Sequence, residues 1–353
     1  MTLGALITAR ITAAGPISLA EYMAEALLHP VHGYYSTRDP LGSTGDFTTA
    51  PEISQMFGEL IGLSLAQHWL DHGAPAPFTL AELGPGRGTL MADILRATRT
   101  VPGFADAAQL TLLDASAPLR RAQQAALNPY DPTWIDSVEA LPPQPLYLVA
   151  NEFFDALPIR QFQRAGDSWR ERMVGLQGGA LTLGLGPAQP QPALAHRLAD
   201  TQDGDIVEDC PAATPILHVI GQRIAAHGGT ALIIDYGDWR SLGDTLQALR
   251  GHQRTDPLDA PGTADLTAHV DFEALCTAAA PARYAKLAAQ GVFLERLGIT
   301  QRAQALARTL SGTALEAHIA AHRRLTHPSE MGNLFKVMAL YAEGAAPPPG
   351  CLP

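Results

Sequence analysis

The stretch LAELGPGRGTL, residues 80–90, constrains the fold of this chain more than any other segment. An apolar run ends at Glu82, and three glycines follow at alternate positions: Gly84, Gly86 and Gly88. The next residues, TLMADILRATRTV, have the apolar spacing of a helix. A strand, a glycine-rich turn and a helix in this order indicate the first unit of a parallel α/β sheet, in which ligands bind at the carboxyl ends of the strands.

The spacing of the glycines distinguishes two classes of cofactor. The dinucleotide fingerprint G-x-G-x-x-G would need a glycine at position 89, where this chain has Thr89. An acid followed by G-x-G-x-G is typical of S-adenosylmethionine (SAM) binding in Rossmann-like methyltransferases, and glycines let the backbone approach the ligand. Glu82 is suited to the ammonium group of that ligand, directly or through water. The run LTLLD ends at Asp114, an acid suited to the ribose hydroxyls.

Apolar runs and helical patterns continue to alternate along the chain. LYLVA and ALIIDYG are further buried strands, so we expect a mostly parallel α/β sheet with helices on both faces. We assign residues 1–75 to a helical N-terminal lid region packed on the core, and residues 76–345 to a methyltransferase domain. That domain carries a β-rich insertion at about 158–190 and a helical insertion at about 298–330. The proline-rich end, residues 346–353, is predicted to be a flexible tail.

Composition excludes several classes of partner. The net charge of −11 makes the chain a poor candidate for binding nucleic acid, since that binding depends on Lys and Arg. The three cysteines, Cys210, Cys276 and Cys351, are far apart and the histidines are scattered, so we expect no metal site and no disulfide framework. We also expect no membrane insertion and a cytoplasmic location, because the sequence has no signal or transit pattern and no apolar run of roughly 20 residues.

Polar residues follow the strand LYLVA in the sequence N-E-F-F-D-A-L-P. Asn151, Glu152 and Asp155 would lie at the carboxyl edge of the sheet, where a parallel sheet binds its ligands. Two alternatives stay open for the acids: they cap a following helix, or they pair with Arg160.

Eight segments together identify a resemblance. They are GPISLAEYM, HGYYSTRDPLGSTGDFTTAPEISQMFGE, LAELGPGRGTL, NEFFDALP, LIIDYG, TADLTAHVDF, QGVFLERLGI and MGNLFKVMAL. Through nearly its whole length the chain resembles the MidA-like methyltransferase family, whose eukaryotic members include the mitochondrial arginine methyltransferase that assists complex I assembly. One departure is Ala50, where the family usually has serine, and we expect Thr49 to cap the helix there together with Glu52. A second departure is Ala117, where the family usually has proline.

This resemblance implies a Rossmann-like class I SAM-dependent methyltransferase with a seven-stranded sheet and a helical N-terminal region. It implies SAM as the cofactor and an arginine of a protein, such as a respiratory complex I subunit, as the acceptor. The guanidinium of arginine is a planar fork of donors that carboxylates bind in bidentate geometry. We therefore predict Glu152 and Asp155 as the acceptor-binding and proton-accepting groups, with Asn151 binding a guanidinium N–H or orienting a carboxylate.

Weaker candidates and rival functions complete the prediction. Gly45 and Asp46 either close over SAM or form a simple turn. Asp235 and Tyr236 end another strand and would line the acceptor site, and His269 is either a base or a helix cap. The rival functions are an NAD-dependent oxidoreductase, a non-catalytic SAM-binding assembly factor, and a methyltransferase acting on a small molecule. The sequence does not indicate an oligomeric state.

Overall fold

The structure, a computed structural model, describes residues 1–37 and 49–353 of the chain. The α-helices of these residues are α1 Leu3–Ala14, α2 Leu19–Leu28, α3 Tyr34–Thr37, α4 Ala50–Ile53, α5 Gln55–Asp71, α6 Thr89–Thr98, α7 Phe104–Ala107, α8 Ala117–Ala126, α9 Ala213–His227, α10 Phe272–Ala278, α11 Gln290–Arg296, α12 Ile299–Ala307, α13 Gly312–Thr326 and α14 Met331–Leu334. Short 3₁₀ helices lie at Asn128–Tyr130, Val138–Ala140 and Pro192–Ala199.

The strands of the described residues are more numerous than the sequence predicts. They are β1 Ile17–Ser18, β2 Phe78–Leu83, β3 Ala108–Leu113, β4 Thr133–Ile135, β5 Leu146–Asn151, β6 Arg160–Ala165, β7 Ser168–Gln177, β8 Ala180–Gln189, β9 Ile206–Asp209, β10 Gly229–Asp238, β11 Gln247–Arg250, β12 Gln253–Thr255, β13 Asp265–Thr267, β14 Val270–Asp271, β15 Arg283–Tyr284, β16 Ala288–Ala289 and β17 Phe335–Tyr341.

The central sheet confirms the predicted α/β class but is mixed in direction. Its main path runs β15-β17-β10-β5-β2-β3-β4, with β14 beside β10 and β16 beside β17. Strands β10, β5, β2, β3 and β4 are parallel, whereas β17 is antiparallel to β10, and β15 and β16 are antiparallel to β17. The prediction of a mostly parallel seven-stranded sheet is therefore corrected to a mixed sheet of nine strands in the described residues. The sheet is mixed because β17 begins at the edge where β10 ends: Phe335, the first residue of β17, pairs with Tyr236 near the end of β10.

Strand β5 shows why the parallel part reads as continuous apolar runs. Tyr147 and Val149 belong to the core cluster that includes residues of α5 and α6. Leu148 and Ala150 belong to the other cluster, with residues of α9 and α10. Successive side chains of a strand point to opposite faces, so a strand covered by helices on both faces has no polar position.

A second sheet forms around the segment that the sequence assigns to a β-rich insertion. It runs β1-β7-β6-β9 with β8 paired to β7, and all its pairings are antiparallel. The β7–β8 turn contains Gly178 and Gly179, with φ of +60° and +86°, a conformation that glycine adopts without strain. Strands β12, β11 and β13 form a third, smaller sheet.

The N-terminal helices pack on these smaller sheets. Ser18 caps α2 in a capping box: its side chain accepts from the Glu21 amide, and the Glu21 side chain accepts from the Ser18 amide. Side chains of α1 and α2 share a core cluster with Val174 of β7, Ala248 of β11 and Leu266 of β13. The lid is thus tied to the insertions as well as to the parallel core.

The helix predicted from Pro51 onward is broken. Ser54 is extended, with φ of −160°, and separates α4 from α5. Thr49 stands at the start of α4 but its side chain makes no capping hydrogen bond. Glu52 instead accepts a hydrogen bond of 2.6 Å from the Thr89 hydroxyl, at the start of α6. The predicted Thr49–Glu52 capping box is therefore wrong, because Glu52 binds across the fold.

The last residues are packed, in contrast to the predicted flexible tail. Ser64 donates a 2.7 Å hydrogen bond to the carbonyl oxygen of Pro349, and the Lys286 amide donates to Leu352 O at 2.8 Å. Cys351 is 8% exposed and belongs to the main core cluster. Proline-rich composition predicted fraying, but these contacts order the segment. Among the described residues, no helix combines the length and apolarity needed to cross a membrane.

Candidate active site

A cavity of about 300 Å³ lies at the carboxyl ends of β2, β3 and β5. Its floor is the glycine-rich turn after β2, and its walls come from α2, α3 and the residues after β5. Leu27 and Leu28 of α2 and Tyr35 of α3 line it from the N-terminal side. The cavity lies where the sequence predicts a ligand, and its volume is in the range of small-molecule sites, about 300–1,000 Å³.

The three glycines form the turn between β2 and α6. Gly84, Gly86 and Gly88 have φ of +63°, +54° and +84°. A Cβ on Gly84 would lie 3.0 Å from the Phe153 ring, and one on Gly88 would lie 3.4 Å from the Gln123 backbone. Both the left-handed backbone and the close approach of neighbours therefore require glycine here.

Glu82 lies under this turn and faces the cavity. Its side chain is 2% exposed, and its Oε2 atom has no hydrogen-bond partner in the structure. Burial, and to a smaller extent the nearby Asp114, raise the pKa of Glu82 to about 8. The Met91 backbone binds the carboxyl, but its Oε2 atom is buried without a donor, so an ammonium group bound in the cavity would supply what that oxygen lacks.

Asp114 directly follows β3, which ends one residue earlier than the sequence predicts, and it belongs to a network that the sequence did not reveal. Its Oδ1 accepts 2.7 Å from the Ser116 amide and its Oδ2 accepts 2.6 Å from Gln123 Nε2. Gln123 also donates to Gly86 O at 2.8 Å and accepts from Trp134 Nε1 at 2.8 Å. One buried amide thus ties the glycine turn to the acid. The only sequence clue to Gln123 is its place on the predicted helix that follows the acid.

These residues fit SAM. The donor-free oxygen of Glu82 suits an ammonium group. The carboxylate of Asp114 has lone pairs left for ribose hydroxyls, since a carboxylate accepts about four hydrogen bonds. The left-handed glycines keep the floor free of side chains where the ligand would approach.

Glu152 follows β5 in a backbone conformation that favours glycine. Its φ is +52°, which is rare for a residue with a side chain. Its Oε1 accepts 3.1 Å from Asn151 Nδ2 and 3.4 Å from the Ala50 amide of α4. Burial raises the pKa of Glu152 to about 7. Asn151 is 7% exposed, lines the cavity, and its Oδ1 has no hydrogen-bond partner.

Asp155 is the most deeply buried predicted catalytic residue. It is 5% exposed, and its Oδ1 atom has no hydrogen-bond partner. Burial raises its pKa well above the usual range, and the carboxylates of Asp235, Glu152 and Asp265 raise it further. The strand end thus holds an acid cluster, Glu152, Asp155, Asp235 and Asp265.

Asp235 holds the N-E-F-F-D loop. Its Oδ2 accepts from the amides of Phe154 at 3.0 Å and Asp155 at 3.2 Å, and its Oδ1 accepts from the Tyr236 amide at 3.0 Å. The carboxylate is fully buried, so it anchors the loop from below. Tyr236 donates its hydroxyl hydrogen to Thr267 and accepts one from Gln247 at 2.8 Å.

The alternatives for these residues are resolved by their contacts. No helix follows Asp155 before β6 begins, so the acids are not helix caps. Arg160 pairs with Glu171, at 2.8 and 2.7 Å. Helix α10 is capped by Asp271, which accepts 2.9 Å from the Ala274 amide, so His269 is not the cap. The His269 ring lies edge-on to Tyr236, with centroids 5.1 Å apart.

Tyr35 of α3 lines the cavity and connects two parts of the site. Its hydroxyl donates 2.7 Å to Asp265 Oδ1, and its carbonyl oxygen accepts 2.8 Å from the Ser116 hydroxyl. The N-terminal region therefore contacts both the hydrogen-bond network of Asp114 and the acid cluster. Gly45 and Asp46 lie outside the described residues. Within residues 1–37 and 49–353, no group of three or more His, Cys, Asp or Glu is arranged to hold a metal ion.

Comparison with known proteins identifies the family. Residues 60–290 match the S-adenosyl-L-methionine-dependent methyltransferase family. The chain belongs to this family. The match decides against the NAD-dependent oxidoreductase and confirms the fold class.

Two relatives and one solved structure cover nearly the whole methyltransferase chain. The Homo sapiens protein arginine methyltransferase NDUFAF7, mitochondrial, is 36% identical over 361 residues, which cover 94% of this chain and 81% of that protein. The Danio rerio protein of the same name is 37% identical and covers 95% and 85%. A Burkholderia thailandensis protein crystallised with S-adenosyl-homocysteine superposes with a TM-score of 0.83 at 29% identity, covering 99% of this chain and 93% of that one.

Proposed function

We propose that this methyltransferase is a protein arginine N-methyltransferase whose Glu152 and Asp155 bind the guanidinium of the acceptor. The observation that carries the proposal is the carboxyl of Glu152 in the lining of the cofactor cavity. The carboxyl of Asp155 lies behind it, near enough to Glu152 for their charges to interact, and is 5% exposed with one oxygen that has no donor. A guanidinium brings five N–H donors in a planar fork and remains charged at all ordinary pH values. The names of the two relatives support the same acceptor.

The pKa values of the two acids are raised in the structure, and binding of a cationic acceptor would lower them again. Burial favours the neutral form of Glu152 and of Asp155. A positive charge within a few ångströms favours the charged form, so binding of a guanidinium would release protons from the pair. Asp235 would hold the loop in place while this happens, since three backbone amides bind it.

Methylation of a guanidinium forms a nitrogen–carbon bond, breaks a carbon–sulfur bond and releases one proton. SAM, when bound, supplies the electrophilic methyl group. Glu152 and Asp155 would orient one nitrogen toward the cavity and accept its proton. Phe153, which lines the cavity, would exclude water from the reacting atoms. Positioning and local electrostatics provide most of the rate in such a displacement.

The direct test is methyl transfer to peptides. We expect a synthetic peptide library with one central arginine to gain methyl groups in the presence of SAM, as measured by mass spectrometry. The matched control is the same library with lysine at the centre, which we expect to react at least about 10-fold more slowly, because an ammonium is a point charge that two carboxylates cannot bind in bidentate geometry. Equal transfer to both libraries would contradict the proposal. Binding of S-adenosyl-homocysteine without transfer to any peptide or small molecule would favour the non-catalytic assembly factor.

The pH dependence of the reaction provides a second test. Glu152 has a pKa of about 7, so it is mostly protonated below this pH and ionised above it. We expect kcat/KM for the arginine peptide, at saturating SAM, to rise about 10-fold per pH unit on the acidic side and to level off above about pH 8. Saturating SAM is needed because Glu82 also titrates, with a pKa of about 8. In the variant Glu152→Gln, this rise of kcat/KM with pH should be absent. A wild-type kcat/KM that does not change from about pH 6 to pH 8 would contradict the role of Glu152 in binding the acceptor.

The acceptor protein and the location remain predictions. A respiratory complex I subunit or a similar protein is the acceptor that the family resemblance suggests. The named relatives are called mitochondrial, so a cytoplasmic location of this chain is not supported by them.

A further inference from the structure

Both lysines of the chain lie in one groove outside the cofactor cavity. Lys286 and Lys336 are the only lysines in the sequence of 353 residues. They line an open groove with Trp239 and Tyr284, and the other lining residues are Asp238, Leu287, Ala289 and Pro353. The chain has a net charge of −11, whereas the side chains that line the groove within residues 1–37 and 49–353 include two cations, Lys286 and Lys336, and one acid, Asp238.

The groove continues the sheet edge that carries the candidate active site. The cofactor cavity lies at the ends of β2, β3 and β5, and the acid cluster joins the ends of β5 and β10. The groove extends from the end of β10 across the start of β17 to β15 and β16. Lys336 is directly opposite Asp235 in the β10–β17 ladder, so both side chains leave the same face of the sheet. Neighbouring strands are about 4.8 Å apart, which puts Lys336 on β17 roughly 10 Å from β5 and Lys286, between β15 and β16, roughly 15 Å from β5.

One of the two cations is fixed and the other is exposed. Lys336 Nζ donates to Asn333 O at 2.7 Å and to Gly237 O at 3.1 Å, which uses two of its three N–H donors. Its positive charge acts on His269, whose pKa is lowered first by burial and then by Lys336 and Arg254. Lys286 is held by its backbone amide while its side chain is exposed.

Two aromatic rings form the wall between these cations. The rings of Trp239 and Tyr284 lie 5.8 Å apart and are tilted by 38°. Trp239 is oriented by a 3.2 Å hydrogen bond from its Nε1 to Glu273, and Tyr284 is 46% exposed. A rigid aromatic wall with flanking cations is suited to an extended peptide that carries a carboxylate.

We propose that this groove binds an acidic residue of the protein substrate, about three to five positions from the arginine that enters the acid pair. The spacing follows from the distance along the sheet edge, since an extended peptide advances about 3.3 Å per residue. The inference rests on the proposed function and adds to it the sequence context of the acceptor.

The test compares two synthetic peptides and three variants. One peptide has a central arginine with glutamates three positions away on both sides, and the other has glutamines there. We expect the wild-type KM to be about 10-fold lower for the glutamate peptide, which corresponds to one charge-assisted contact. Lys286→Glu should remove or reverse this preference, and Lys286→Arg should keep it. Arg308→Glu is the control variant, because it makes the same charge change at an exposed residue that does not line the groove, at the C-terminal end of α12. It should leave the preference for the glutamate peptide unchanged.

An arginine-free copy of the glutamate peptide separates this inference from the proposed function. Calorimetry should detect its binding to wild type but not to Lys286→Glu, even if no arginine peptide is methylated; that result would keep the groove and reject arginine methylation. Methylation of both peptides with equal KM would reject the groove and keep the function. A glutamate preference that survives in Lys286→Glu would also overturn the groove assignment. Displacement of the peptide by inorganic phosphate at equal concentration and constant ionic strength would indicate a general anion site and reject the peptide as its occupant.

Discussion

Replacing Gly86 with valine is expected to lower the affinity for S-adenosyl-homocysteine at least about 100-fold, as measured by calorimetric titration. Gly86 lines the cavity with φ of +54°, so a β-branched side chain would strain the turn and stand where the ligand approaches the backbone. It would also disturb the bond from Gln123 to Gly86 O, and with it the position of Asp114.

A matched variant separates strain from loss of the site. Gly166 has φ of +60°, lies in the exposed β6–β7 turn, and has open space where its Cβ would be. Gly166→Val should therefore cost about 1–2 kcal/mol of stability while keeping S-adenosyl-homocysteine affinity. If folded Gly86→Val binds S-adenosyl-homocysteine with wild-type affinity, this turn does not bind the cofactor.

Asp155→Asn is expected to reduce kcat/KM for an arginine peptide by about 100-fold or more while leaving S-adenosyl-homocysteine affinity unchanged. The substitution keeps the size of the side chain and the backbone amide that binds Asp235. It removes the charge that would pair with a buried guanidinium, and breaking one partner of a buried ion pair costs about 3–5 kcal/mol.

The control for Asp155→Asn is an exposed acid. Asp167 is fully exposed in the β6–β7 turn, so Asp167→Asn removes one negative charge without touching the acid cluster. If the two variants have the same kcat/KM as wild type, Asp155 does not bind the acceptor. If Asp155→Asn loses cofactor affinity as well, its role is in the architecture of the cavity.

Much of the site could be predicted because it is local in sequence. Glu82 and the glycines after it form one motif, and Asn151, Glu152 and Asp155 directly follow a strand with a clear apolar pattern. The carboxyl ends of parallel strands meet at one edge, so both groups were expected at the same site. The central sheet followed from the same alternation.

The remaining features depend on contacts between distant segments. Gln123 binds Gly86 from 37 residues away, and Asp235 binds the Asp155 amide from 80 residues away. The hydroxyl of Tyr35 reaches Asp265 across 230 residues. Neither periodicity nor a motif encodes such pairs, because each needs the packed positions of two elements. The mixed sheet direction was missed for the same reason, since it depends on where the chain re-enters the sheet at β17.

Glu152 has a consequence for attempts to stabilise this protein. Its left-handed backbone would be relaxed by glycine. Its pKa is about 7 in the fold and lower in the unfolded chain, so its ionisation destabilises the fold as pH rises between those values. A screen that selects for thermal stability alone would therefore favour variants without this glutamate. Such variants would be more stable but would lose methyl-transfer activity. Any such screen needs methyl transfer as a second criterion.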